Sequence, residues 1–401
     1  MDVALDQETP TSTSLFSEEP RISVRELPYS ASAYERLNRS RGEPARRTRE
    51  MIDGWWLRLP DAARPQIRER FMDSAPAVHL GGFFEIYMHE VLRRVCSRVE
   101  ADIGNDDTCR RRPDLHAVSG DAGFGVEVTA ILGDDAVDPK DRARVNQLYD
   151  ALNRRLRNRD FLLEVNLRRS GLETPGKKLV SEIDRWLEPL DPDIEIERRK
   201  AGEMPPRLQL EHRGWVLDLK ATPLQQDLRH RSDLRVIGSR VEGFEIASID
   251  DDDLDTLKPM DDVGPLHRGL VDKAGHGYDL REEPFVISAL CAGPFVEEME
   301  IEMALLGGPG HEGLWVKGGR PRYTRVSAVL TVTELTPVTS ALVEPCLWLN
   351  PWAQRPLPVD LLPWRRIEFR DDGRPVEPPA NRTTAEILEV GPNWPHEPLA
   401  V

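Results

Sequence analysis

The chain has 401 residues, a formal net charge of -16 and 39% hydrophobic residues. That length buries a sizeable core without covalent staples, and Cys96, Cys109, Cys291 and Cys346 show neither a C-x-x-C nor a histidine at zinc-ligand spacing, so they read as free thiols. No apolar run reaches the ~18 residues of a membrane span, and no charged-then-apolar amino terminus marks a secretory signal; a cytoplasmic protein without a membrane partner is expected.

The first 30 residues are rich in Thr, Ser, Glu and Pro and read as a disordered tail (1–30). A helical amino-terminal lobe follows (31–75), anchored by Tyr34, Leu37, Trp55, Trp56, Ile67 and Phe71. Adjacent tryptophans on a helix belong to a core. From Phe83 to Arg98, Phe84, Met88, Val91, Leu92 and Val95 fall at helical spacing. Glu85 lies on the flank of that stripe and can point inward, while Arg93, Arg94 and Arg98 mark the outer side.

The strands Leu115 to Val118 and Phe124 to Val128 flank a Ser-Gly-Asp-Ala-Gly turn, a hairpin signal. If Asp114 pairs with Glu127, alternation puts Leu115, Ala117, Phe124, Val126 and Val128 on one face and Asp114, Glu127 and Thr129 on the other. A register slipped by one would bury a carboxylate among those aliphatics. A polar helix from Lys140 to Leu156 and a strand from Phe161 to Leu167 complete a core at 76–170. An α+β insertion or second lobe is expected at 171–265, with a helix at Lys178 to Leu187 and a hairpin of Arg207 to His212 with Trp215 to Leu219. A carboxy-terminal α+β extension (266–401) holds a helix from Leu266 to Gly277, strands at Phe285 to Leu290, Ser327 to Glu334 and Cys346 to Leu349, and a proline-rich wrap.

Charge is unevenly spread. Between Val241 and Glu312, 18 acidic residues face 4 basic ones, whereas Gly81 to Ser170 holds 16 acidic and 15 basic residues. The hairpin region is therefore nearly neutral, and its arginine clusters (Arg110 to Arg112, Arg154 with Arg155, Arg157 and Arg159, and Arg168 with Arg169) can meet phosphates. The Asp250 to Asp253 run lacks the glycine and distal glutamate of an EF-hand loop and reads as a solvated loop. No G-x-x-x-x-G-K-[ST], G-x-G-x-x-G or G-x-S-x-G element is present, which argues against nucleotide hydrolysis, dinucleotide binding and α/β-hydrolase chemistry.

If the helix packs on the hairpin, Glu85, Asp114 and Glu127 converge, and three such hard oxygen donors suit Mg²⁺ or Mn²⁺. Such a cation neutralises a phosphate and lowers the pKa of a bound water. His89, one turn after Glu85, is a candidate for proton transfer or for a structural hydrogen bond.

Pro113-Asp114 followed by Glu127-Val128-Thr129, with FFEIYMHEVLRR before them, resembles the PD-(D/E)xK nuclease superfamily, and more narrowly a group of largely uncharacterised bacterial restriction-endonuclease-like proteins. The resemblance implies an α/β fold: a restriction-endonuclease-like mixed sheet flanked by helices, with the helical lobe before it and the α+β extension after it. It implies a metal-dependent nuclease that hydrolyses DNA or RNA phosphodiesters in bacterial defence or nucleic-acid processing. DNA is the preferred partner over RNA, and a homodimer is allowed. It assigns Glu85, Asp114, Glu127 and the Val128 carbonyl to the metal, and maps a later Lys-before-Tyr helix, a strand and an Asn-Pro onto Lys273 to Tyr278, Phe285 to Leu290 and Asn350-Pro351. The superfamily's water-polarising lysine should stand at Thr129, whose hydroxyl orients water but brings no charge. Lys140, Arg142 or Arg144 on the following helix can reach over the site instead, since such a basic group can migrate within this fold, and Lys140 is the expected replacement. The alternative is a catalytically inactive module of this fold that binds nucleic acid or a partner protein.

Overall fold

The structure is a computed structural model. It describes residues 14–23, 26–101, 112–133, 139–169, 171, 177–229, 237–240, 263–280, 282–292, 296–308, 310–369, 375–391 and 393–396, with backbone alone at 139–142 and 237–240.

In chain order the elements are α1 (Ala33–Arg39), α2 (Glu43–Trp56), α3 (Arg64–Met72), α4 (Pro76–Val95), β1 (Arg98–Ala101), β2 (Leu115–Ser119), β3 (Ala122–Leu132), α5 (Pro139–Arg155), β4 (Phe161–Arg169), α6 (Lys177–Leu187), α7 (Pro192–Lys200), β5 (Arg207–His212), β6 (Trp215–Pro223) and β7 (Ile237–Arg240). They continue as α8 (Val263–Gly275), β8 (Phe285–Ala292), α9 (Glu298–Leu306), β9 (Val316–Lys317), β10 (Arg320–Pro321), β11 (Ala328–Thr333), β12 (Cys346–Leu349), β13 (Arg365–Phe369), β14 (Pro375–Val376) and α10 (Thr384–Leu388). Two compact units result. One comprises Met1–Arg21, Ser32–Asp135 and Met260–Val401, and the other Ile22–Ala31 and Ala136–Pro259.

The first unit is built on an eight-stranded mixed sheet ordered β1-β2-β3-β8-β11-β12-β13-β14. Parallel pairs join β3 to β8, β8 to β11 and β12 to β13; the other neighbours run antiparallel. Central β8, FVISALCA, is buried along nearly its whole length, as a strand covered on both faces must be. Val286 and Leu290 join the cluster that contains α4 and the amino-terminal helices; Phe285, Ile287, Ala289 and Cys291 join the one that contains α8 and α9. Helix α4 packs on both α3 and β3. It is apolar on most of its circumference (Phe83, Phe84, Ile86, Tyr87, Met88, Val91 and Leu92), so any acid on it is forced to find a partner.

The second unit pairs β5-β6-β4-β7 in a four-stranded sheet, with β7 parallel to β4. Leu148, Leu152, Leu163, Val165, Ile183, Trp215 and Leu217 form its core. Arg168 pairs with Asp218 at 2.6 Å and Arg169 with Glu211 at 2.8 Å, so these two arginines tie strands together.

Three expectations about organisation change. The expected core at 76–170 does not close on itself: its sheet is completed by β8, β11 and β12 from the segment read as an extension, while 139–169 belongs to the second unit. Parallel pairing of β3 with β8 leaves no local sequence mark, because the partner lies over 150 residues away. The amino-terminal segment is also structured where described. Leu15 and Phe16 are buried, Asp53 accepts hydrogen bonds from Ser14 Oγ and Leu15 N, and Phe16 stacks on Tyr34. Residues 1–13 and the acidic run 250–253 lie outside the described residues. The proline-rich wrap carries β13, β14 and α10 and buries Trp364, Ile387 and Trp394.

Among the described residues Cys96, Cys291 and Cys346 are free thiols, and no helix is long and apolar enough to cross a membrane.

Candidate functional site

The hairpin forms in the register that the alternation requires. Leu115 pairs with Val126 and Ala117 with Phe124 around the two-residue turn Gly120-Asp121, and one step beyond the ladder Asp114 stands opposite Glu127. Leu115, Ala117, Phe124, Val126 and Val128 are all buried in the cluster shared with α4. The other face of β3 is also covered: α8 lies on it, and Glu127 is only 1% exposed. Asp114 is fixed by the backbone of the opposite strand, its Oδ2 accepting from Val128 N at 2.8 Å.

A positive charge reaches these acids from α8. Lys273 Nζ donates to Glu127 Oε1 at 2.8 Å, with Lys273 20% exposed. Gly269 explains the approach. A Cβ at Gly269 would lie 2.8 Å from Ile131 Cδ1, so only a hydrogen there lets α8 come this close to β3. Ile131 shares the strand face of Glu127, and one helical turn beyond Gly269 the long side chain of Lys273 covers the remaining distance. Thr129 is half-buried between those two positions. Lys140 sits in the first turn of α5 in the second unit, and its side chain lies outside the described residues. Among the described residues, the lysine at the acids is Lys273.

Glu85 is 14% exposed and bonded to Arg70 of α3, with Arg70 Nη2 donating to Oε2 at 2.5 Å. Burial pushes its carboxyl up to about 8. Arg70 opposes that rise, while the charges of Asp114 and Glu127 add to it. Burial likewise raises Asp114 to about 6, helped by Glu127 and opposed by Val128 N–H, Lys273 and Arg70. The three acids are thus near enough to repel one another. They do not form a closed cage as they stand, for among the described residues no three His, Cys, Asp or Glu side chains group tightly enough to hold a cation. Glu85 is drawn to Arg70 instead.

The donor set fits a hard divalent cation: carboxylate oxygens only, two of them on facing strands, in surroundings where burial and mutual repulsion disfavour the negative charges. Asp114 and Glu127 would hold the ion, the Val128 carbonyl is the adjacent backbone donor, and Glu85 is the third carboxylate.

His89 has a different setting. Burial pushes it down to about 4, so it stays neutral at physiological pH, and its Nδ1 has no hydrogen-bond partner among the described residues. Asn350 is structural: its Nδ2 donates to Val326 O at 2.7 Å and its Oδ1 accepts from Trp352 N at 2.9 Å, closing the loops at one end of the sheet. Tyr278 packs against Phe285, with its hydroxyl 3.1 Å from His276 Nδ1. Arg110 and Arg111 lie outside the described residues.

Sequence reasoning assigned the ammonium to Lys140 because it follows the hairpin closely in the chain. The signal for Lys273 was the stripe Val263, Leu266, Leu270 and Ala274, which marks a helix with one buried face, followed closely by the strongly apolar strand β8 that pairs with β3. In comparisons with known proteins, no family model matches the chain, and neither a curated protein nor a solved structure matches it.

Proposed function

We propose that this protein is a metal-dependent nuclease of the restriction-endonuclease-like type, hydrolysing phosphodiester bonds of nucleic acid with Mg²⁺ or Mn²⁺ as cofactor. The observation that carries this reading is the contact of Lys273 Nζ with Glu127 beside Asp114, which brings together two carboxylates and an ammonium.

When bound, the cation supplies neutralisation of the phosphate and acidification of a water. The chain's own groups do the rest. Asp114 and Glu127 face each other across the hairpin, and the Val128 N–H keeps Asp114 oriented. Lys273 donates from the helix side, where its ammonium can orient a water and stabilise negative charge that develops on the phosphoryl oxygens. Thr129 offers a hydroxyl on the same strand face. The cover of α8 over β3 limits solvent around Glu127, which strengthens each of these interactions.

Incubation of the pure protein with Mg²⁺ or Mn²⁺ and mixed single- and double-stranded DNA and RNA tests the reading. Cleavage that disappears in Asp114→Ala and Glu127→Ala is expected; cleavage that survives both removes this site from consideration. A second reading, an inactive nucleic-acid-binding or assembly module, draws support from the ion pairs of Glu85 with Arg70 and Glu127 with Lys273, which neutralise two acids without a cation. Salt-sensitive binding without cleavage, and no heat on addition of Mn²⁺, would favour it.

A further inference from the structure

Arg70 stands at the acids without a part in the chemistry above, and its bonding is incomplete. One guanidinium nitrogen, Nη2, holds Glu85, while Nε is buried and has no hydrogen-bond partner among the described residues. Arg58 on Glu90, one and a half turns along α4, shows the saturated arrangement: its Nε and Nη2 both meet the carboxylate, at 2.9 and 2.8 Å. Arg70 is also 42% exposed, so it spans the border between the buried acids and solvent. Its charge acts on Asp114 as well as on Glu85.

The backbone that carries it is held in place. A Cβ on Gly82 would lie 2.6 Å from Phe71 N and 2.9 Å from the carbonyl carbon of Arg70, so α3 and α4 touch backbone to backbone at this point. Phe71, fully buried, anchors the next position. An arginine on a fixed backbone, with an unused donor and an open side, is suited to an incoming anion.

Charge balance says which anion. With all three carboxylates ionised, as a bound cation would make them, they outweigh Lys273 and Arg70 by one negative charge, and the divalent cation brings the total to one net positive charge. That matches the single charge of a phosphodiester. Resting on the nuclease reading above, we propose that Arg70 is a phosphate-binding residue of the cation-loaded site: Glu85 would turn to the cation, and the Arg70 guanidinium, released from it, would donate to the non-bridging oxygens of a nucleic-acid phosphate.

The test uses the full chain loaded with Ca²⁺ in place of Mg²⁺ and fluorescently labelled DNA oligonucleotides, single- and double-stranded, titrated across a range of salt. Arg70→Gln is expected to weaken binding about tenfold or more and to reduce the slope of log affinity against log salt by about one contact. Its Mn²⁺ binding, read by calorimetry, should be retained. Arg70→Lys should recover the slope but not the full affinity. Because Arg70→Gln leaves Glu85 without its partner and could disturb folding, the double variant Arg70→Gln/Glu85→Gln is compared with Glu85→Gln alone, and the same loss of affinity and slope is expected. Unchanged affinity and slope in both comparisons would overturn the proposal, as would wild-type protein that binds no oligonucleotide at any salt. Wild-type protein that binds but never cleaves would overturn the nuclease reading, and the salt slopes would still decide the role of Arg70.

Discussion

Helix α4 carries two buried acids about one and a half turns apart, and they live in opposite electrostatic conditions. Glu90 is fully buried and receives Arg58 in bidentate fashion, Arg94 at 2.6 Å and Arg93 at 3.1 Å. Burial alone would raise its pKa, but the hydrogen bonds from Arg58, Arg93 and Arg94 outweigh that and hold it down at about 2. Glu85 has one arginine, two neighbouring carboxylates and a pKa of about 8. The first acid is over-compensated and joins α4 to the turn after α2 through Arg58. The second is under-compensated, a state that costs stability and has a use if a cation is to arrive. Burial of charge does not by itself separate structure from function; the local balance of partners does.

The largest expected effect breaks the chemistry and leaves the fold standing. Asp114→Asn and Glu127→Gln should each lower cation-dependent cleavage by about 10³-fold or more, read in single-turnover assays, with far-UV circular dichroism unchanged. Lys273→Met should cost about 10²-fold to 10³-fold in the same assay, with Lys273→Arg recovering part of it; a Lys273→Met protein at full rate would leave the ammonium without a catalytic part.

The stability contrast comes next. Glu90→Gln removes the negative charge that three arginines share and turns one of the two acceptor oxygens into a donor, and should destabilise by about 2–4 kcal/mol, whereas Glu85→Gln should cost under about 1 kcal/mol, since it removes a carboxylate that its surroundings disfavour. Urea midpoints measure both, and equal losses would erase the distinction between the two acids.

The last contrast is in the dependence on pH. Asp114 moves from 3.8 to about 6 and Glu85 from 4.5 to about 8 on folding. Both folded values are raised, so the folded chain keeps protons that the unfolded chain has released. The contribution favouring the fold is therefore complete below about pH 4 and lost as pH rises through about 6 and then about 8. Added Mn²⁺ should stabilise more at pH 8 than at pH 6, because it binds the ionised forms and displaces those protons. Glu85→Gln should flatten the upper half of this profile, and a profile unchanged by that substitution would mean that Glu85 does not titrate there.

The hairpin was legible because everything that defines it is local. A Gly-Asp turn, a period of two and a carboxylate that alternation keeps off the apolar face fix Asp114 opposite Glu127 within 14 residues. Glu85 was legible as an acid on the edge of an apolar stripe. Arg70 was not, because a charged residue on the short helix α3 looks like any solvated one, and only the close contact at Gly82 turns it toward Glu85. Lys273 could be noticed but not assigned: the parallel pairing of β3 with β8 and the seat of α8 at Gly269 depend on packing across the chain, and neither changes the local pattern. The burial of Leu15 and Phe16 was hidden for the same reason, since two apolar residues in a polar stretch show no period.

The contact between Glu127 and Lys273 spans 146 residues, with the long segment Ala136–Pro259 of the second unit made in between. At a synthesis rate of about 5 to 20 residues per second, the acid pair leaves the ribosome some 7 to 30 seconds before its lysine. Strand β8, which must be inserted beside β3, comes later still. A nascent chain therefore carries the acids unarmed, and the cell meets the complete site only after the sheet has closed.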